Sequence, residues 1–184
     1  MEHHSNIVPW HFLREKVGVK IKWVDCDDQG NISLDDIKNI VTEKTKLISI
    51  TEMSNVLGSK TPLKEIIKFS HEREILVLVD GCQGVAHNII DVQELDCDFY
   101  VFSGHKIYGP TGVGVLYGKF DILDSMPPWR GGGEMIREVK KDSITFADLP
   151  SRFEAGTPNI TQAIGLGFAT VSYTHLTLPT ILLV

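Results

Sequence analysis

Leu76-Val77-Leu78-Val79-Asp80 and, further on, Phe99-Tyr100-Val101-Phe102-Ser103-Gly104-His105-Lys106 are the stretches whose reading decides the fold. Each begins as a short apolar run of strand length, rich in β-branched or aromatic residues, and ends abruptly in polar residues and glycine. Runs apolar on both faces suit a parallel sheet covered by helices, with functional groups gathered at the carboxyl ends of the strands. One strand end then offers a carboxylate, Asp80, and a neighbouring one offers an amine, Lys106, on a Ser-Gly-His-Lys turn. This is the equipment that pyridoxal 5'-phosphate requires. A lysine amine forms the Schiff base with its aldehyde, and an aspartate keeps the pyridine nitrogen protonated so that the ring draws electrons. On these residues alone a plainer reading stays open, with Asp80 capping the next helix and Lys106 solvated.

Working outward, the chain alternates strand and helix. Val19-Lys20-Ile21-Lys22-Trp23-Val24 alternates apolar and polar with period two, which predicts a half-covered strand. Asp28-Gln29-Gly30-Asn31 predicts a turn. Ser33, with Asp36 three residues on, caps a helix whose apolar stripe is Leu34, Ile37, Ile40 and Val41. Lys46 to Thr51 reads as a buried strand, ending in Ser54-Asn55-Val56-Leu57-Gly58. Thr61, with Pro62 at the first helical position, starts a further helix with Leu63, Ile66 and Ile67 inward. After the Ile75–Val79 strand come a linker to Asp91, a short Val92–Leu95 helix and the Phe99–Phe102 strand. This βαβαβ order predicts an α/β fold, a three-layer sandwich with a mostly parallel sheet. Thr111–Tyr117 reads as another strand entered through a glycine turn. Pro127 to Gly133 is a long glycine-rich loop, either beside a site or a plain connector.

Composition narrows the function classes. With 184 residues the chain is long enough to bury a real core. A net charge of −6 supplies no basic field for nucleic acid or an acidic membrane. Cys26, Cys82 and Cys97 are odd in number and lack CxxC spacing, so neither a disulfide framework nor a zinc site is expected. They read as small, partly buried residues in a reducing cytoplasm. No apolar run approaches ~20 residues and no leader pattern opens the chain, so membrane spanning and secretion are not expected. Walker, GxSxG and GxGxxG motifs are absent.

Further candidate groups fall at the strand ends. Neighbouring His3 and His4 would point to opposite faces of a strand, and no second ligand cluster follows, so no metal site is expected. One imidazole stacked on a cofactor ring, or moving a proton, is the more economical reading. Asn55 and Gln83 suit a ring hydroxyl or, equally, turn capping. Ser103 and His105 can donate to phosphate oxygens beside glycine backbone. Arg152-Phe153-Glu154-Ala155-Gly156-Thr157-Pro158-Asn159 ends in an N-cap-like Asn before a helix beginning near Thr161. That helix start, with Thr157 beside it, also suits phosphate.

The strings Met1-Glu2-His3-His4-Ser5-Asn6-Ile7-Val8-Pro9-Trp10, Ser54 to Gly58, Val79-Asp80-Gly81-Cys82-Gln83, Asp96 to Gly112 and Arg152 to Asn159 resemble the cysteine desulfurases of the class V aminotransferase fold. They are most similar to the SufS-type (group II) branch, which also acts as selenocysteine lyase. The resemblance runs from Met1 to about Val171. It implies the fold type I large domain, in incomplete form, of a pyridoxal 5'-phosphate-bound homodimer in the cytoplasm. Such enzymes convert L-cysteine, or L-selenocysteine, to L-alanine and pass the sulfur to an acceptor protein for iron–sulfur cluster assembly. By motif, Lys106 would be the Schiff-base lysine and Asp80 the partner of the pyridine nitrogen. His3 would stack on the ring and assist proton transfers. Asn55 and Gln83 would contact ring substituents, Gln83 near the phenolic oxygen. Ser103 and His105 would bind phosphate, and Thr157 the phosphate held by the partner subunit.

The chain also departs from that family. The loop cysteine that attacks the substrate sulfur, the substrate-binding arginines and the Gly-Thr-Thr helix start that grips phosphate have no counterpart. Residues 1–171 therefore resemble the middle of an enzyme more than twice as long, and inactivity of this piece is expected. Residues 172–184 contain no Asp, Glu, Lys or Arg. They break the expected amphipathic helix at Pro179 and are too short to span a bilayer. They read as a foreign end, or as a native apolar tail that packs on a partner. Another class V chemistry, or a non-catalytic binding module on the same fold, is the alternative function, since one scaffold hosts many chemistries.

Overall fold

The structure is a computed structural model that describes residues 1–175. The expected break at Pro179, and the rest of the atypical end beyond His175, lie outside the described residues. The helices are α1 (Val8–Val17), α2 (Leu34–Ile40), α3 (Leu63–His71), α4 (Gly84–His87), α5 (Val92–Leu95), α6 (Phe120–Ser125) and α7 (Ile160–His175). The strands are β1 (Leu47–Thr51), β2 (Leu76–Asp80), β3 (Phe99–Ser103), β4 (Gly114–Gly118), β5 (Ile136–Val139) and β6 (Ile144–Phe146).

Four strands form one sheet in the order β1-β2-β3-β4. β1, β2 and β3 run parallel, and β4 pairs antiparallel to β3 through Val101↔Leu116 and Phe102↔Val115. The expected α/β fold with a mostly parallel sheet is therefore present. Register puts Thr51 beside Asp80, and Asp80 beside Val101, so three strand ends lie level at one edge of the sheet.

Alternation sends Ile50, Val79 and Tyr100 to one face, where they join Ile37, Leu63, Ile66 and Ile67 in a single core cluster. Complete burial of side chains such as Ile66, Val77 and Val79 stabilises the fold by about 1.5–3 kcal/mol each. On the opposite face Ser49, Leu76 and Leu78 are only half-buried, so the two faces are not equally covered.

Two helix starts follow side-chain caps, whereas Pro62 stands at the cap of α3 rather than at its first helical position, and Thr61 Oγ1 donates to Thr51 O instead of capping. Ser33 and Asp36 form a reciprocal capping box ahead of α2, and Asp91 accepts from the backbone N–H groups of Gln93 and Glu94 ahead of α5. Other expectations need correction. Val19–Val24 is not a strand, because no described strand lies alongside to complete a ladder, and Trp23 is exposed. The linker before Asp91 contains the single turn α4, and a β5–β6 hairpin follows the glycine-rich loop. Cys26 is exposed rather than partly buried. Among the described residues no helix is long and apolar enough to cross a membrane, and no group of His, Cys, Asp and Glu could hold a metal ion.

Candidate functional site

The level ends of β1, β2 and β3 assemble most of the candidate side chains. Asp80 closes β2 and is 5% exposed. Its Oδ1 accepts from the backbone N–H of Cys82 at 3.0 Å, which turns the chain sharply toward Gln83. Gly81 donates its N–H to Val101 O at 2.9 Å, and Glu52 donates to Asp80 O at 3.0 Å, so the turn is tied to both neighbouring strands. Gln83 is half-buried at the start of α4.

Ser103 closes β3, and Gly104–Ile107 continues as a 3-10 turn carrying His105 and Lys106. Gly104 accepts from Gly109 and donates to Val113 O, which closes the loop around the lysine. Leu166 of α7 packs onto this loop, 2.9 Å from where a Cβ on Gly109 would sit, so both loop and helix depend on glycine there. Lys106 is half-buried, His105 is exposed, and neither Asp80 nor Lys106 forms an ion pair among the described residues.

Between these two strand ends sits the Cys82 thiol, 3.8 Å from Ser103 Oγ. Burial, then a hydrogen bond to the Asp80 carboxylate, push this thiol above its ordinary pKa, while the charge of Lys106 opposes the shift. The thiol thus lies between Asp80 and Ser103, with the charge of Lys106 close enough to act on it.

The N-terminal segment reaches the same edge through Glu2, whose Oε1 accepts from Thr51 N–H at 2.9 Å and whose Oε2 accepts from Asn6 Nδ2 at 2.7 Å. Burial raises the Glu2 pKa, against those two hydrogen bonds. His3 and His4 lie not in a strand but at a 3-10 turn, His4–Asn6, which His3 caps. The Ser5 N–H donates to His3 Nδ1 at 3.1 Å, which leaves Nε2 as the N–H of the neutral ring. Asn55 is exposed in the turn that Ser54 Oγ ties to the N–H groups of Val56 and Leu57.

Thr157 is exposed and stands apart from this group. Its loop is pinned by Gly156 N–H to Gly133 O and by Asn159 Nδ2 to Gly112 O. The Asn159 amide therefore holds a neighbouring turn.

Sequence reading missed Glu2, Cys82, Glu52 and Tyr100 as parts of this edge. The signal for Glu52 was its place one residue past β1, matching the polar residues that end β2 and β3.

The donor set fits pyridoxal 5'-phosphate. A buried carboxylate without an ion pair suits a protonated ring nitrogen, and a half-buried amine without one suits an aldehyde carbon. Ser103, His105 and the neighbouring backbone offer donors to a phosphate.

Comparison with known proteins agrees with this assignment of fold. Residues 1–178 match the family described as aminotransferase class-V. A cysteine desulfurase of Dickeya dadantii (strain 3937) is 52% identical over 170 residues, which is 92% of this chain and 41% of that relative. The crystal structure of the cysteine desulfurase CsdA (S-sulfonic acid) from Escherichia coli superposes with a TM-score of 0.91 at 43% identity, covering 94% of this chain and 43% of that one. The apo structure of the cysteine desulfurase from Thermococcus onnurineus NA1 gives a TM-score of 0.89 at 37% identity, covering 95% and 44%. The chain thus spans about two fifths of the length of these proteins.

Proposed function

Because this chain belongs to the aminotransferase class-V family, we propose that it forms the cofactor-holding part of a pyridoxal 5'-phosphate-dependent cysteine desulfurase. Such an enzyme takes L-cysteine, or L-selenocysteine, to L-alanine and hands the sulfur to an acceptor protein. The observation that carries this reading is the pairing of buried Asp80 with half-buried Lys106 at adjacent strand ends, neither in an ion pair among the described residues. When bound, pyridoxal 5'-phosphate supplies an aldehyde that links to amines and an electron-poor ring that stabilises negative charge developing at the substrate Cα.

Lys106 would hold the cofactor through its Nζ, and that amine would serve as the base that moves the substrate Cα proton. Asp80 keeps the proton on the ring nitrogen, because an opposite charge within a few ångströms favours the charged form. His3 would stand beside the bound cofactor and handle protons at Nε2. Asn55 and Gln83 would hold the ring substituents, with Gln83 assigned to the phenolic oxygen. Ser103 and His105 would take phosphate oxygens, and Thr157 would serve the phosphate held by the partner subunit of a cytoplasmic homodimer.

Sulfur acceptance is assigned to none of the three cysteines. Burial raises the Cys82 thiol and pushes Cys97 up to about 11, so both stay protonated near neutral pH and are poor nucleophiles. Cys26 is exposed in the loop leading to α2. Residues 1–171 are read as the cofactor domain and 172–184 as its atypical end, with α7 running on to His175 and Tyr173 Oη donating to Ala86 O at 2.5 Å.

Reconstitution with pyridoxal 5'-phosphate and L-cysteine tests this function in the natural polypeptide that carries the sequence. Alanine should form in step with persulfide or, with added thiol, sulfide. Cofactor binding without alanine would leave the fold and overturn the desulfurase.

A further inference from the structure

Glu52 is a buried carboxylate that the proposed chemistry does not use and that, unlike buried Asp98, forms no ion pair among the described residues. It lies one residue beyond β1 and is 8% exposed. Its Oε2 accepts from Tyr100 Oη at 2.6 Å and its Oε1 from Asn88 Nδ2 at 2.8 Å. Asn88 in turn accepts from Lys60 Nζ at 2.6 Å. The main chain of Glu52 donates to Asp80 O and accepts from Thr61 N–H at 2.9 Å. One residue therefore binds the end of β1, the end of β2, strand β3 through Tyr100, and the segment after α4 through Asn88.

The strand register explains how this happens. Tyr100 pairs with Val79, so its ring lies on the opposite face of the sheet from Asp80. Its hydroxyl then reaches Glu52 underneath the Asp80–Gln83 turn. A Cβ on Gly81 would overlap the Tyr100 ring, and a Cβ on Gly84 would overlap the Glu52 carboxylate. The turn thus rests directly on this carboxylate–phenol pair. Burial and the bond to Glu52 drive the Tyr100 hydroxyl pKa far upward, so it stays protonated at any ordinary pH. Glu52 forms no ion pair among the described residues, and a carboxylate is costly to bury without one. An apolar residue would fill this space at lower cost unless the hydrogen bonds were themselves needed.

We infer that Glu52 is a positioning residue: through Tyr100 and Asn88 it fixes the Asp80–Asn88 segment so that Asp80 and Gln83 meet the cofactor. The inference rests on the proposed function, because its effect is exerted on the cofactor ring. Glu52 touches neither cofactor nor substrate.

Three variants test it in the natural polypeptide that carries this sequence, with the dissociation constant for pyridoxal 5'-phosphate and the pH titration of its visible band as readouts. Glu52→Ala should weaken cofactor binding at least tenfold and shift the titration of the band. Glu52→Gln keeps the shape, accepts from Asn88 and donates to a Tyr100 hydroxyl turned to accept, so it should bind within about threefold of the natural protein. Tyr100→Phe removes one of the two bonds and should fall between, and it carries the test if Glu52→Ala does not fold. Ile37→Ala, on a helix with no site residue, should lower thermal stability and leave both readouts unmoved.

Equal binding and an unshifted band in Glu52→Ala or Tyr100→Phe would overturn the inference while leaving the cofactor assignment standing. A Glu52→Gln loss as large as that of Glu52→Ala would overturn it too, by making charge rather than geometry the requirement. Failure of the natural protein to bind the cofactor would instead overturn the proposed function and this inference together.

Discussion

Asp80 lies in a place nearly closed to water, so a cation set against its carboxylate is stabilised more strongly than it would be at the surface. Asp80→Asn keeps the shape and the acceptor for Cys82 N–H but removes that charge. The variant should retain part of its pyridoxal 5'-phosphate and lose turnover by two or more orders of magnitude, as alanine production will show. Full activity would mean that the ring nitrogen is managed by another group. The residues of this site were legible in the sequence where a strand stops: Asp80, Ser103 and Lys106 each follow an apolar run. Glu52 and Tyr100 were not legible as a pair. Their bond spans two strands that are not neighbours in the sheet, and alternation along one strand says nothing about such a partner. Cys82 was read as filler, because its meaning lies in what a turn brings beside it.

Helix caps are the elements that sequence reads best, since cap and helix are contiguous. Ser33 accepts from Asp36 N–H at 3.2 Å while Asp36 accepts from Ser33 N–H at 3.0 Å. Ser33→Ala should cost about 1 kcal/mol, measured by denaturant unfolding. Overpacking the turn beneath the site should cost more: Gly81→Ala should destabilise by about 1–3 kcal/mol, because the Tyr100 ring occupies the space a methyl needs. At the other end of β3, Lys119 bridges Asp96 at 2.6 Å and Asp98 at 3.3 Å. The hydrogen bond to Lys119 lowers the Asp96 pKa, and the two aspartates raise that of Lys119 despite partial burial. A lowered carboxylate contributes stability above its unfolded value, about 3.9, and loses it as pH falls through the folded one. A raised lysine contributes below about 10.4 and loses its share as pH rises through the folded value. Lys119→Met should therefore flatten the acid limb of the stability–pH curve below about pH 4, and an unchanged limb would remove this pair from the account. Val19–Val24 shows where element reading stops. Period two marks an extended segment, whereas a strand also requires a neighbour that no local pattern reveals.

At the scale of the whole molecule, α7 packs Leu166 onto the lysine loop and turns Ile160, Ile164, Phe168 and Val171 outward. These positions recur at helical spacing and form one apolar stripe, with Phe120 and Trp129 exposed elsewhere on the surface. Exposed stripes of this kind drive association. The 184-residue chain expressed as it stands should elute above its 20.5 kDa mass in gel filtration or precipitate, bind pyridoxal 5'-phosphate weakly and release no sulfide from cysteine. Ile164→Glu with Phe168→Lys should shift it toward monomer. A monodisperse natural chain at its own mass would contradict this. The central claim, that Lys106 is the amine that holds the cofactor, can be tested against every lysine at once by reducing the cofactor-loaded protein with borohydride and mapping the modified peptide by mass. Lys106, half-buried and in no ion pair among the described residues, should carry the pyridoxyl group, whereas Lys119, tied to two aspartates with its pKa raised, should not. A stoichiometric adduct on Lys119, or on any lysine other than Lys106, would contradict the account.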